Sequence, residues 1–402
     1  MKSLLFLVHR IPYPPNKGDK ITTCNMLRYF ARHFRVFLGS FVDDPGDWQY
    51  AGQVRNLCAE TCLLPLNPRL SRLRSLGGLL TGEALSVAYY RSRKMQEWVN
   101  KILARENIDA VLVYSGAMAR FVPERLPENT HTILDLDDVD SEKWRSYAET
   151  HRWPVSLIYR REAEKLLAYE RRMAARFEHC LFISAEEADL FARLAPEVRD
   201  RLQHRTQGVD SDYFDPGLCF DNPFEPHEQA IVFTGAMDYW PNIDAVIWFA
   251  REIFPRVQTA VASARFYIVG MNPAETVTAL AENPGITVTG SVPDVRPYLS
   301  HAAAVIAPLR IARGIQNKVL EAMSMAKPVL ATPEAMTGII PCPQAKLFIS
   351  NNANKLTDAT IELLSGTPQT DQAARDCILR NYNWDTNLSR IADLLRGDHS
   401  SI

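Results

Sequence analysis

Arg313, Gly314, Asn317, Lys318 and Glu321 crowd the start of the stretch RGIQNKVLEAMSMAKPVLAT, which ends at Thr332. Such types at such spacing could hold a phosphorylated ligand. At about 100° per residue, Val319, Ala322, Met323 and Ala326 project within roughly 80° of Ile315, whereas Asn317, Lys318 and Glu321 cluster between about 200° and 300°. The pattern predicts a helix from about Ile315 to Ala326 with an apolar face that packs and a polar face turned outward. Gly314, just before it, lets an anion approach the free backbone N–H groups of the first turn, and Arg313 and Lys318 add positive charge there. Glu321 lies roughly 9 Å along the axis from Ile315 at 1.5 Å per residue, a distance that fits the step from a diphosphate to the hydroxyls of its ribose. The same residues also fit an amphipathic surface helix on which Lys318 and Glu321 form an i,i+3 pair.

A second set of chemical groups is acidic. DLDDVDSEKW places Asp135, Asp137, Asp138 and Asp140 at the end of a predicted strand, where crowded carboxylates raise one another's pKa if they lose solvent. Asp138 and Asp140 are the candidates for proton handling on the acceptor side, and the alternative is that Asp140 or Ser141 caps the next helix. DLD and DVD also match an acidic triplet that holds divalent cations through oxygen ligands. Such triplets recur by chance, and no metal is expected. In the loop PYPPNKGDK, Lys17, Gly18 and Asp19 could admit a phosphate or acceptor, or form a plain surface turn. His9, at the end of the first strand, could line the cleft, although a lone histidine is more often a hydrogen-bonded structural residue. Gly235 opens the loop GAMDYWPN after another predicted strand and joins the donor-side candidates. No G-x-G-x-x-G follows either first strand, which argues against a dinucleotide oxidoreductase.

These groups need elements to hold them. The first half reads as strands at Ser3 to Val8, RVFLGSF, Ala110 to Tyr114, Thr132 to Leu136 and Cys180 to Ile183, with helices near Ile21 to His33, Met95 to Ala104 and Arg160 to Phe177. DSDYFDPGLCFDNPFEPHEQ has no usable periodicity and reads as a linker. A second series follows: AIVFTG, a helix at Ile243 to Phe254, RFYIVG, ITVTG, a helix near Val295 to His301, AVIAPL, the helix after Gly314, and PVLAT. Alternation of this kind predicts an α/β chain with two doubly wound, Rossmann-like domains facing across a cleft. The expected boundaries are 1–209, a linker at 210–229, 230–380, and a C-terminal helix in 381–402 that packs back on the first domain.

The composition excludes several classes. At 402 residues, 47% apolar and 23% charged with a net charge of −2, the chain is globular and gives no support to nucleic-acid binding. Cys24, Cys58, Cys62, Cys180, Cys219, Cys342 and Cys377 are scattered and include no CxxC, so neither a disulfide frame nor a zinc site is expected, and a reducing cytoplasm fits. The opening LLFLV is too short to span a bilayer and reads as a buried strand.

The segments PYPPNKGDK, DLDDVDSEKW, GVDSDYF, VFTGAMDYWPNIDAVIWF, FYIVG with VTGSVPDVRPYL, and RGIQNKVLEAMSMAKPV together resemble the family 4 glycosyltransferases of GT-B architecture. They are similar in particular to the subset found in bacterial exopolysaccharide clusters associated with exosortase and PEP-CTERM sorting. The resemblance implies transfer of a sugar from a nucleotide-diphosphate donor to a glycan or lipid-linked acceptor, with retention of configuration, no cofactor and no obligatory metal. It makes Glu321 the ribose-binding glutamate. The acidic partner that the resemblance places at 313, with seven residues between it and Glu321, is replaced by Arg313, and the usual arginine and lysine after the first strand of the second domain by GAMDYWPN. Arg313 and Lys318 then supply the charge for the diphosphate, and the glycine usual at 326 is Ala326. The expected donor-binding set is Gly235, Arg313, Gly314, Asn317, Lys318 and Glu321; the acceptor-side set is Lys17, Gly18, Asp19 and Asp138; the catalytic candidates are Asp138, Asp140 and Arg313.

Two competing readings keep the Glu321 site. One is a sugar-nucleotide epimerase of the same fold, which needs no acceptor, and the other is a binding subunit without turnover. The segment from Arg69 to Arg105 carries eight basic residues against Glu83 and Glu97. With Leu73, Leu76, Leu79 and Leu80 interleaved, it is expected either to meet an anionic membrane face peripherally or to be a solvated helical face.

Overall fold

A computed structural model describes residues 1–312, 314–366 and 370–398. The chain divides into two compact units, one formed by Met1–Gln207 with Trp384–Ile402 and the other by Gly208–Asn383.

The first unit holds seven parallel strands: β1 (Ser3–Val8), β2 (Arg35–Val42), β3 (Glu60–Pro65), β4 (Ala110–Tyr114), β5 (His131–Asp137), β6 (His179–Phe182) and β7 (Leu202–His204), in the order β3-β2-β1-β4-β5-β6-β7. Leu4 pairs with Val36 on one side and Ala110 on the other. Every residue of β1 and β4 is buried, as a parallel sheet covered on both faces requires. Alternation divides the core in two. Leu5, Leu7, Val111, Val113 and Leu134 pack with Met95, Val99 and Ile102 of the helix Arg93–Arg105 and with Leu166 and Met173 of the helix Val155–Ala174. Leu4, Phe6, Val8, Leu112 and Ile133 pack on the other face with Phe30 and with Trp384, Leu388, Ile391 and Leu395. The last four come from the helix Trp384–Arg396, so the end of the chain completes the core of the unit in which it began.

The second unit repeats the plan with β8 (Gln229–Thr234), β9 (Ala264–Val269), β10 (Ile286–Gly290), β11 (Ala304–Ala307), β12 (Val329–Ala331) and β13 (Leu347–Ile349), all parallel, in the order β10-β9-β8-β11-β12-β13. The segment expected as a linker is instead part of this unit. Phe214 and Phe224 are buried in its core, and the Arg375 guanidinium donates to the carbonyls of Ser211 (3.2 Å), Phe214 (2.8 Å) and Ser324 (2.7 Å). Prolines broke the periodicity there but left the aromatic anchors in place.

Two further expectations are corrected. Cys342 and Cys377 form a disulfide with their Cα atoms 6.2 Å apart, within the usual range, although 35 residues separate them in sequence. The strands β3, β7 and β13 were not anticipated. All three are sheet edges, where exposure on one side removes the continuous apolar run that marks an interior strand. Among the described residues no helix is long and apolar enough to cross a membrane.

Candidate functional site

Ligands of open parallel sheets bind beyond the carboxyl ends of the strands, where the strand order reverses. In the second unit that point lies between β8 and β11. After β8 the chain turns at Gly235 (φ 155°), whose N–H donates to the Val269 carbonyl at 3.1 Å. The approach of the two strand ends is so close that a Cβ on Gly270 would stand 1.6 Å from the Gly235 carbonyl oxygen. A Cβ on Gly235 itself would stand 2.8 Å from Asn242 Nδ2 and 3.2 Å from Lys318 Nζ.

Lys318 comes from the helix Asn317–Ser324, shorter at both ends than the expected Ile315 to Ala326. Its side chain does not look outward. Only 9% of it is exposed, Nζ donates to Asn242 Oδ1 at 2.6 Å, and the ammonium lies 4.2 Å from the centre of the Phe233 ring. Asn242 Nδ2 in turn donates to the Ala236 carbonyl at 2.9 Å, so Gly235, Asn242 and Lys318 hold one another in place. Burial pushes Lys318 down to about 7 against the opposing charge of Glu321, and pushes half-buried Glu321 up to about 7 against that of Lys318. A diphosphate arriving here would return the proton to Lys318.

Before the helix, Gly314 has φ 63° and its carbonyl accepts from Gln316 Nε2 at 3.2 Å. Asn317 opens the first turn, where the N–H groups of Val319 and Leu320 both point to the Gln316 carbonyl. Arg313 lies outside the described residues. Nearby Arg310 donates from Nε (2.9 Å) and Nη2 to the two carboxylate oxygens of Asp244. Two residues past the end of the helix Ala326 takes φ 52°, and the N–H of Ala326 donates to the Met323 carbonyl and that of Lys327 to the Ala322 carbonyl. This is the paired-bond stop that favours glycine, so the alanine at this position sits in the left-handed region.

In the first unit the reversal lies between β1 and β4. His9 follows β1 and stacks on Tyr114 at the end of β4, with ring centres 5.9 Å apart and planes at 10°. Its Nε2 is 3.1 Å from Asp19 Oδ2, and its buried Nδ1 has no hydrogen-bond partner. Arg10 donates to the same Asp19 oxygen at 2.6 Å and to Asp43 at 2.8 Å. Burial works against ionised Asp19, yet the His9 hydrogen bond and the charges of His9 and Arg10 hold it well below the usual carboxylate range. Of the loop candidates, Asp19 turns inward to this group, whereas Lys17 and Gly18 are exposed at the start of the helix Gly18–His33.

The acidic run divides by role. Asp135, fully buried, and Asp137 both accept from Arg205, with Asp135 Oδ2 2.5 Å from Nε. Tyr114 donates its hydroxyl to the other Asp137 oxygen at 3.0 Å. Asp138 has a buried oxygen without a hydrogen-bond partner, and burial, reinforced by Asp137, Glu187 and Asp140, pushes it up to about 7. Burial also raises Asp140, while Lys143 and His9 oppose the shift. Neither Asp140 nor Ser141 caps the helix Asp140–Thr150. Val139 is the capping residue, and carboxylates from elsewhere satisfy the first amides: Glu187 accepts from the Val139 N–H at 2.8 Å and Glu170 from the Ser141 N–H at 3.2 Å. Glu170 also accepts from Ser141 Oγ at 2.6 Å, and burial pushes it up to about 8 against those bonds. Arg205, Glu170, Glu187 and Asn242 were not singled out from the sequence. Buried aspartates demand a cation, which was the one available signal for Arg205.

Among the described residues no group of three or more His, Cys, Asp or Glu is arranged to hold a metal ion.

Residues 228–366 match the family described as glycosyl transferases group 1. The fold is similar to that of a sucrose-phosphate synthase from Thermosynechococcus elongatus, with a TM-score of 0.69 and 14% identity, covering 98% of this chain and 99% of that one. It is similar as well to WaaG, a glycosyltransferase involved in lipopolysaccharide biosynthesis, at 0.67 and 14%, covering 98% and 100%. Anabaena HepE in complex with UDP follows at 0.65 and 13%, again covering 98% and 100%. No curated protein sequence matches the chain. Identities this low carry the fold alone. The second unit thus matches the glycosyl transferases group 1 family over residues 228–366, and the chain has the two-domain GT-B fold of the glycosyltransferase structures it resembles.

Proposed function

We propose that the chain is a retaining glycosyltransferase that moves a sugar from a nucleotide-diphosphate donor to a glycan or lipid-linked acceptor in bacterial exopolysaccharide synthesis. The observation that carries this reading is the Gly235, Asn242 and Lys318 group with Glu321 one turn further on, inside the matched segment. A sugar–diphosphate bond breaks through an oxocarbenium-like state, and the main demand on the protein is to stabilise the departing diphosphate and hold the acceptor hydroxyl at the anomeric carbon. Lys318, recharged by the diphosphate, and the amides of the Asn317–Ser324 helix meet the first demand, with Arg313 added from the sequence. Glu321 accepts from the ribose hydroxyls. Asp138 and Asp140, whose pKa values lie above the ordinary range, are the acceptor-side groups, and Asp138, near 7, can hold or release a proton at neutral pH. Charge on the diphosphate is met by side chains and helix amides, so turnover needs no divalent cation. A lipid-linked acceptor places the enzyme at the cytoplasmic face of a membrane, in peripheral contact with it.

The test is a donor panel with lipid-linked and soluble glycan acceptors, reading nucleoside diphosphate release together with the anomeric configuration of the product. Expected are acceptor-dependent release, an unchanged anomer and full activity in EDTA. Donor conversion without an acceptor would replace transfer by isomerisation, and loss in EDTA with recovery in Mn²⁺ would return the acidic run to a cation role.

A further inference from the structure

The apolar side chains left exposed by the first unit are concentrated in two neighbouring places. Leu70 and Leu73 are exposed in the helix Pro68–Ser75, Leu76 in the turn after it, and Leu79 and Leu80 in the short helix Gly78–Thr81, Leu80 to 93%. Trp153 (78%), Val155, Leu157 and Ile158 are exposed at the start of the helix Val155–Ala174. The two places are joined. Arg161 Nη2 donates to the carbonyls of Gly78 (2.7 Å) and Glu83 (3.3 Å), and the Glu162 carboxylate accepts from the N–H groups of Leu85 (2.7 Å) and Ser86 (2.8 Å). Arg161 and Glu162 lie one turn beyond Leu157 and Ile158 on the same helix face, so the exposed start of that helix is anchored to the 78–86 segment that follows the leucine-bearing helix.

Charge decides what this surface meets. Of the basic residues between 69 and 105, Arg91 pairs with Glu83, Arg93 with Glu97, and Arg105 with Glu60 and Glu106. Among the described residues the other five make no ion pair: Arg69, Arg72 and Arg74, exposed on the leucine-bearing helix, and Lys94 and Lys101, exposed on the helix Arg93–Arg105. On the helical projection Arg74 falls about 40° to one side of Leu70 and Arg69 about 100° to the other, so arginines border the leucines on both sides. Arg152 and Arg160, also exposed, flank the Trp153 to Ile158 group. A second copy is a poor occupant, because a two-fold pairing brings two copies of the same arginine-rich patch, with no acidic residue among its exposed arginines and leucines, against each other.

We propose that this surface docks on a bilayer with anionic headgroups, with Trp153, Leu157 and Leu80 entering the acyl boundary and Arg69, Arg72 and Arg74 meeting lipid phosphates. It deepens the lipid-linked acceptor reading and rests on it only for the purpose of docking, since vesicle binding needs neither donor nor acceptor.

The experiment is flotation with phosphatidylcholine vesicles, with and without phosphatidylglycerol, combined with tryptophan quenching by bromine-labelled lipid. Expected is recovery several-fold higher on the anionic vesicles, falling in high salt. The pair Trp153→Ser and Leu157→Ser should lower recovery several-fold, and the triple change of Arg69, Arg72 and Arg74 to Gln should remove the preference for anionic vesicles. Trp153→Phe should lose most of the quenching, while nucleotide binding and elution volume stay at wild-type values in every variant. No recovery, equal recovery on both vesicles, or recovery and quenching indifferent to these changes overturns the proposal. So does a dimer by light scattering that Leu73→Glu dissociates, which gives the surface to a second copy. In each such case donor turnover on soluble acceptors is still measurable, so the failure of docking is distinct from a failure of transfer.

Discussion

Lys318 and Glu321 sit three residues apart in a setting that leaves both near pH 7, so donor binding should move protons in opposite directions on either side of neutrality. At pH 8 the free site holds neutral Lys318, and a bound diphosphate, favouring the ammonium, draws in a proton. At pH 6 it holds protonated Glu321, and ribose hydroxyls, favouring the carboxylate, expel one. Calorimetry in buffers of different ionisation enthalpy should find uptake at pH 8 and release at pH 6. Lys318→Met should abolish the uptake alone and weaken binding at least tenfold, as expected for a charge-assisted contact of about 1.5 to 3 kcal/mol. The same sign at both pH values would remove these residues from the donor site. At the end of the same helix, the left-handed Ala326 invites a gain. A non-glycine residue there costs roughly 1–2 kcal/mol, partly offset by the unfolded-state freedom of glycine, so Ala326→Gly should stabilise the second unit by about 1 kcal/mol in urea titration.

At the scale of elements, the end of β5 depends on a cation supplied from beyond β7. Arg205 holds Asp135 and Asp137 together where Asp137 takes φ 67° and the pairing of β5 with β6 slips by one residue. Arg205→Leu leaves buried carboxylates uncompensated and should cost about 3–5 kcal/mol at pH 7. The pH dependence has a definite sign. Burial already raises Asp135 to about 6, above its unfolded value, and loss of Arg205 raises it further. The folded variant therefore binds more protons than its unfolded chain, and the deficit should shrink as pH falls from 7 towards 5. Urea midpoints at several pH values give the check, and a deficit that grows on acidification contradicts the assignment. The same pairing explains why the acidic run could not be apportioned from its letters. Asp135 and Asp137 are tied to a residue some 70 positions away, whereas Asp138 is not.

At the scale of the whole molecule, the chain leaves its first unit after Gln207 and returns to it at Trp384. Trp384, Leu388, Ile391 and Leu395 close one face of the first sheet. At about 1.5–3 kcal/mol for each large side chain buried, their loss matches most of the stability of a domain. A chain ending at Asn383 should therefore yield, under limited proteolysis, a resistant core from the second unit alone, and an equally resistant first unit would show that the returning helix is dispensable. The sequence by itself determined the alternation of elements, the two parallel sheets, and the placing of Lys318 and Glu321 on one helix that starts just after Gly314. Those follow from periodicity and residue type within about ten positions, where local sterics and apolar patterning act. Only the tertiary structure decided that Lys318 turns inward to Asn242 and Phe233, that Arg205 neutralises Asp135 and Asp137, that Glu170 and Glu187 cap a helix its own residues leave open, and that Cys342 meets Cys377. Each joins residues far apart in sequence, and the free energy of burying a polar group depends on the partner that folding brings to it, which leaves no mark on the residue itself.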